Sequence, residues 1–397
     1  MNQQATAQRT ARLVLISTFA NSLWFTLPIW YLYATQQLYL SPAAAINLNI
    51  LVWIVSLFFN APTGALADRF GRKKLYLVGA ILAIAAPVGF CLKLSLPALA
   101  FMTFLSGIGQ GVMSGELLPI VHRHYELSGF NRRRYRAFLS SNQAVYYCGR
   151  ILNGVIGAWL YTLNPLYPYF ATIAAMLAGF TIVLFVRDIA PKHPVTETWQ
   201  HLRATASALV HTPYIRTILL LYIFVDTSGE SIWTALQALY HSDGRSATTI
   251  GWLFSVVAAS SALASYSYRH IIARWHPYSI FQIANVCLLV TALLLWQDNI
   301  TLRLYAVIPS GFIFGATVVA LNDAAQHHLP NRYHSTALSI LASLKIMTFA
   351  TGSLIIGFVI NHWGTHSART VLFASALIVI VTGSLIWRCP IDQSALD

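Results

Sequence analysis

Charge is scarce in this chain. Only 9% of its 397 residues are Asp, Glu, Lys or Arg, where a soluble domain carries roughly a quarter. Acids are scarcest, 12 against 25 Lys and Arg. With 57% of its residues hydrophobic, the chain cannot cover a water-soluble surface and reads as an integral membrane protein. Cysteine is also thin: Cys91, Cys148, Cys287 and Cys389 are scattered without paired spacing. That excludes a disulfide framework, a zinc cluster and a redox pair, and leaves small apolar fillers. No phosphate-binding glycine loop, metal-ligand spacing or nucleophile elbow occurs, so neither an enzyme nor a cofactor or metal is expected.

What is present is apolar runs. A spanning helix needs about 20 mostly apolar residues, and twelve such runs can be drawn. The first half gives Arg12–Ala34, Ala44–Ala67, Leu75–Leu92, Pro97–Val121, Ala137–Tyr161 and Tyr167–Val186. The second gives Ile215–Tyr240, Thr248–Tyr268, Tyr278–Trp296, Leu304–Gln326, Ser335–Asn361 and Ala368–Trp387. The formal charge of +13 raises the possibility of nucleic-acid binding, but the positions of the cations argue against it. With helices drawn, nearly all of them fall on one side, and only Lys93, Arg245, Arg303 and Arg369 on the other. That asymmetry predicts a multi-pass protein of the plasma or inner membrane with both termini cytoplasmic, its basic side near lipid headgroups. Residues 1–12 carry no cleavage signature, so the first run is expected to be retained. The longest polar stretch, Arg187–Pro213, separates the halves, and Trp199–Val210 within it has the pattern of an amphipathic surface helix. The expected organisation is a six-helix bundle over 1–186, a linker over 187–213 and a second bundle over 214–397. Faint internal echoes agree: Ser22-Leu23-Trp24 with Ser231-Ile232-Trp233, and Gly149 with Gly352.

Between the second and third runs the chain reads GALADRFGRKK, Gly64–Lys74. Two spanning helices joined this closely call for glycine at the turn and cations that hold it on one side of the bilayer. Gly64, Leu66, Ala67, Asp68, Arg69, Gly71, Arg72 and Lys73 fall on the pattern G-x-L-A-D-[RK]-x-G-[RK]-[RK]. This resembles the signature loop of the major facilitator superfamily of secondary transporters. The resemblance implies an all-α membrane protein of twelve helices in two pseudo-symmetric bundles, a monomer working by alternating access on a small molecule. It also implies a conformational latch formed by Gly64, Asp68, Arg69, Gly71 and Arg72. In the family the loop's acid contacts the start of helix eleven and basic residues of helix four, here Arg123.

Ionisable groups inside a bilayer are costly and mark function. Glu116, Asp226, Glu230 and Asp323 fall inside runs, as do Arg150 and Lys345. Asp226, Glu230, Trp233 and Gln237 recur at spacings of four, three and four, one face of a helix. Two carboxylates a turn apart repel, and desolvation disfavours charge, so one is expected to hold a proton and release it when water arrives. Asp226 and Glu230 are therefore proton-coupling candidates, with permanent pairing to Arg150 or Lys345 as the competing reading; Asp323 is the third candidate, at the depth of Lys345 and expected to form with it a salt bridge that breaks on opening. The substrate candidates are Asn21, Trp24, Glu116, Asn142, Tyr146, Arg150, Trp233, Gln237 and Lys345. Asn21, Trp24 and Pro28 would share a face of helix one, and Asn142, Tyr146, Arg150 and Asn153 form a polar stripe on helix five. The glycines of helix four, Gly107, Gly109 and Gly111, fit close packing.

The chain departs from drug:proton antiporters at Thr103, where they carry an arginine, and at Gly149-Arg150, where they carry Gly-Pro. Asn60 also stands where the efflux-like subgroup has glutamate. Proton-coupled export of a small compound is the first expectation. Proton-coupled uptake of a polar nutrient, such as a sugar or organic anion, is the alternative.

Overall fold

The computed structural model describes residues 3–114, 117–130, 132–188, 198–270, 277–328 and 334–387. Among the described residues the only regular element is the helix. In chain order these are α1 Gln3–Ser22, α2 Trp30–Gln36, α3 Pro42–Phe70, α4 Arg72–Ala83, α5 Ala85–Cys91, α6 Leu96–Met113, α7 Leu117–Leu127 and α8 Arg132–Leu163. There follow α9 Tyr167–Leu184, α10 Thr198–His211, α11 Pro213–Ser242, α12 Ala247–His270, α13 Pro277–Trp296, α14 Ile300–Leu304, α15 Val307–His328 and α16 His334–Trp387.

Eight stretches among the described residues are long and apolar enough to cross a membrane, or nine if the bent pair α10–α11 counts as one. One of the eight, Ile340–Val381, holds two of the expected runs. The helix around it, α16, has 54 residues and would be about 80 Å long if straight, far more than the ~30 Å hydrocarbon layer. Its one non-helical residue, Gly364 at φ 81°, ψ 169°, is where it divides. The remaining two expected runs are α1–α2, which is broken, and α8, whose polar stripe and Arg150 lower its hydropathy.

The chain divides into two compact units: Met1–Thr196 with Arg245–Ser255, and Glu197–Gly244 with Val256–Asp397. In the first unit three sequence features set the helix ends. Pro87 has no amide to give Ala83, so the third apolar run divides at Ile84 into α4 and α5. The Ala83 carbonyl freed in this way accepts from the buried Ser106 hydroxyl of α6 at 2.8 Å.

The signature stretch is not a loop. α3 runs on through Phe70, and α4 begins at Arg72, so the whole turn is Gly71 at φ 93°, ψ 132°, a conformation essentially closed to other residues. The expected hairpin thus shrinks to one residue, because Ala65–Arg69 are good helix formers and nothing before Gly71 stops them. Asp188, just beyond α9, accepts the Lys73 amide at 3.0 Å, and the Lys73 ammonium donates to the Leu184 carbonyl at 2.6 Å. A carboxylate at the exposed amides of a helix start is the favourable arrangement.

Helix one is not continuous either. α1 ends at Ser22, and Leu23–Ile29 is turn and coil before α2. Pro28 cannot donate to Trp24, which removes one rung, and Asn153 of α8 supplies another reason. Its amide donates to the Ser22 carbonyl at 2.7 Å from a fully buried position. The Ser22 carbonyl, which also accepts the Trp24 amide at 2.9 Å in the turn, is thereby held by a side chain from across the unit.

The two units repeat one packing motif. In the first, Gly149 lies directly against Ser22, closer than any side chain would permit. In the second, a Cβ on Gly352 would stand 2.6 Å from the Thr227 carbonyl and 3.1 Å from Ser231 Oγ, and the Ser231 hydroxyl reaches the Gly352 carbonyl at 3.3 Å. The echoed residues therefore make equivalent contacts, although only α11 stays helical through its copy.

Candidate functional site

Within the second unit the long helix α11 packs chiefly on α16 and α15. At 100° per residue, Asp226, Glu230, Trp233 and Gln237 lie within about 60° of one another. On one flank Gly229 faces Ile313 and Phe314 of α15. On the other, Ser231 and Thr234 bond to Gly352 and Ser353 of α16. The stripe therefore opens into the crevice where these three helices meet. Asp226 is 0% exposed, Gln237 3% and Glu230 5%. Trp233 sits edge-on to Phe314 with ring centroids 5.9 Å apart.

Asp226 has the best-defined surroundings. The Thr348 hydroxyl donates to its Oδ2, and Thr348 also reaches the Lys345 carbonyl at 2.8 Å. The Tyr222 hydroxyl donates to the same carboxyl, and the Lys345 ammonium is near enough to act on it electrostatically. Its second oxygen, Oδ1, is buried without a hydrogen-bond partner among the described residues. Asp226 is thus a buried carboxyl with one oxygen bonded, the other open among the described residues, and Lys345 nearby. Thr348 and Tyr222 were not among the expected site residues. Tyr222 is one turn before Asp226 and Thr348 one turn after Lys345, so the helical period carried the signal.

In the first unit the helix-five stripe divides in two. Asn142 accepts from the Thr18 hydroxyl at 2.7 Å, and Asn153 is bonded to Ser22, so both serve to hold α1 against α8. Arg150 and Tyr146 lie to one side of that contact. The guanidinium donates to the Tyr146 hydroxyl at 2.5 Å and stands 4.9 Å from the ring centroid. Arg150 Nε is buried and has no hydrogen-bond partner among the described residues. Asn21 is engaged with Ser17 and with the Tyr76 hydroxyl, the latter at 2.9 Å. Trp24 lies in the helix break, so Asn21, Trp24 and Pro28 do not form the continuous helical face that the pattern predicts.

The latch residues are partly visible. Gly64, Asp68 and Arg69 belong to α3, but the Asp68 and Arg69 side chains lie outside the described residues, as does that of Asp323 on α15; Gly115 and Glu116 lie outside them altogether. Gly71 is the turn, and Arg72 opens α4. Arg123 bonds Glu126 at 3.1 Å, one turn along α7. Among the described residues no three His, Cys, Asp or Glu side chains are grouped to hold a metal ion.

A cluster outside the expected site stands out in the second unit. Arg303 donates through Nη1 to both oxygens of Asp243 at 2.6 and 2.7 Å, through Nε to the Gln297 carbonyl and through Nη2 to that of Asp298. Arg369 Nη2 lies 3.8 Å from the same carboxylate and 2.9 Å from His366 Nδ1. These groups tie the end of α11 to α14 and to α16 beyond Gly364.

Comparison with known proteins bears on the family and the fold. The family model of the Major Facilitator Superfamily matches residues 13–345, and again residues 218–395. An uncharacterized MFS-type transporter of Bacillus subtilis, YhjO, is 26% identical over 194 residues, 49% of this chain and 46% of that protein. The multidrug resistance protein MdtL of Klebsiella pneumoniae is 24% identical over 259 residues, 64% of each chain. The chain thus spans about half to two thirds of the length of these relatives. Among solved structures, a D-xylose-proton symporter superposes with a TM-score of 0.71 at 16% identity, covering 97% of both chains.

Proposed function

The chain belongs to the Major Facilitator Superfamily, a family of membrane transporters, and from that premise we propose that it is a proton-coupled secondary transporter that exports a small molecule by alternating access. Residues 1–186 and 214–397 are taken as its two bundles, joined through 187–213. Asp226 and Glu230 carry the coupling proton. Protonation changes which conformation the substrate prefers, and only such differential affinity can drive the switch. The observation that carries this reading is Asp226, fully buried, with one oxygen held by Thr348, the other open, and Lys345 as the nearby cation.

Export is favoured over uptake by the likeness to a multidrug resistance protein and by the Pro62-Thr63-Gly64 context of the signature stretch. Uptake of a polar nutrient draws its support from Arg150, whose open Nε and Tyr146 neighbour suit an anionic or hydroxylated ligand. Vesicles of both orientations distinguish the two. With ethidium as probe and the lumen acidified, export predicts accumulation in inverted vesicles that collapses when the gradient is dissipated. Asp226→Asn should abolish it. Gradient-driven uptake of a neutral sugar in right-side-out vesicles, with no ethidium movement in either orientation, would replace export by the alternative.

A further inference from the structure

The segment between the two bundles contains a helix that the transport reading leaves without a task. α10 meets α11 at 92° across Thr212. Since α11 crosses the membrane, α10 runs along the membrane plane at its basic end. One side of α10 is committed to the protein: Thr205 is 0% and Leu209 2% exposed, packed where α10 meets α11 and α16. The opposite side carries Arg203, Ser207, Val210 and His211, spaced four, three and one apart, all exposed. Arg216, in the first turn of α11, is exposed just beyond them.

From residue 198 to residue 216 the chain contains no Asp or Glu. Neither Arg203 nor Arg216 forms an ion pair among the described residues. His211 is engaged locally, its Nδ1 lying 2.8 Å from the Ser207 carbonyl. The outer face of α10 thus offers the guanidinium of Arg203 and Val210, 53% exposed, and a second exposed guanidinium, Arg216, stands at the start of α11. An acid-free cationic face lying in the interface complements anionic phospholipid rather than a neutral surface.

We infer that α10 is a membrane-surface helix that, through Arg203 on its outer face together with Arg216 at the start of α11, binds the headgroups of anionic phospholipids. Its other face rests on α11 and α16. The inference rests on the membrane topology alone and does not require proton coupling.

The full-length protein in nanodiscs of mixed phosphatidylglycerol and phosphatidylcholine tests it. Native mass spectrometry reads which lipid remains bound as the disc is stripped. The wild type should retain phosphatidylglycerol preferentially. Arg203→Gln with Arg216→Gln should reduce that preference by about 25-fold, roughly fivefold for each cation near a charged surface. Arg203→Lys with Arg216→Lys should keep most of it, and added salt should weaken it. An unchanged preference in the Gln pair, or a Lys pair that fails as badly as the Gln pair, would overturn the assignment. So would protection of α10 from hydrogen exchange by soluble polyglutamate but not by phosphatidylglycerol, which would give the face to an acidic protein instead.

Discussion

Replacing Asp243 by asparagine should destabilise the second unit more than any other single exposed-end substitution. The Asp243 and Arg303 side chains are 5% and 6% exposed, so water cannot take over for the lost charge. The variant leaves Arg303 and Arg369 facing a neutral amide, with Arg369 Nη2 only 3.8 Å from the position of Oδ1. Breaking a buried pair by removing one partner costs about 3–5 kcal/mol. The lower end applies here, since asparagine keeps one acceptor and Arg303 keeps its bonds to the Gln297 and Asp298 carbonyls. About 3 kcal/mol, at ~2–4 °C per kcal/mol for a unit of this size, is a melting shift of about 6–12 °C. Fluorescence-detected size exclusion after heating in detergent measures it. Adding Arg369→Gln restores the charge balance and should recover about half of the loss, in keeping with ~1–3 kcal/mol for a reorganised buried network. A shift below about 2 °C for Asp243→Asn, or a double variant worse than the single, would show that solvent already screens the cluster.

Three further outcomes follow from the same reasoning. Asp188→Ala removes the acceptor of the Lys73 amide, so that amide should exchange about fivefold faster, as expected for loss of a ~1 kcal/mol cap; unchanged exchange would mean water caps α4 equally well. Asn153→Leu removes the side-chain donor to the Ser22 carbonyl, which keeps the Trp24 amide, and should cost about 0.5–1.5 kcal/mol in thermal stability, whereas Asn142→Leu, at a less buried bond, should cost less. Ser106→Ala leaves the Ala83 carbonyl unsatisfied beside Pro87; a loss of about 1–2 kcal/mol is expected, and a stabilised variant would refute the pairing.

What could be read in the sequence was whatever repeats at short range. The 226–230–233–237 stripe is a local periodicity, and its burial between α15 and α16 follows from that periodicity. The helix expected over Trp199–Val210 lies within α10 for the same reason. The glycines of α6 pack as expected, with Gly107 against Val52 of α3 and Gly109 against α4. The features that escaped depend on distant partners. The side-chain bond at the break after Ser22 comes from Asn153, 131 positions away, and the cap on the first turn of α4 comes from Asp188, 115 positions from Lys73. Arg303 and Asp243 are 60 apart, and in the sequence they look like an isolated outer cation and an ordinary turn acid. A spacing rule has nothing to say about such pairs, because only the packed helices bring them together. The signature stretch shows a different limit. Its residues point to the family, but its turn is set by Gly71 alone, and local helix propensity extends α3 up to that residue.

The central claim is that the acids of α11 exchange a proton as substrate moves. Its most direct test compares two fluxes in the same proteoliposomes: substrate-induced proton movement, read by a trapped pH dye, and substrate exchange across the membrane with no gradient. Glu230→Gln and Asp226→Asn should abolish the proton flux while at least one of them retains exchange. A Glu230→Gln, Asp226→Asn double variant that still moves protons with substrate at the wild-type ratio would contradict the account.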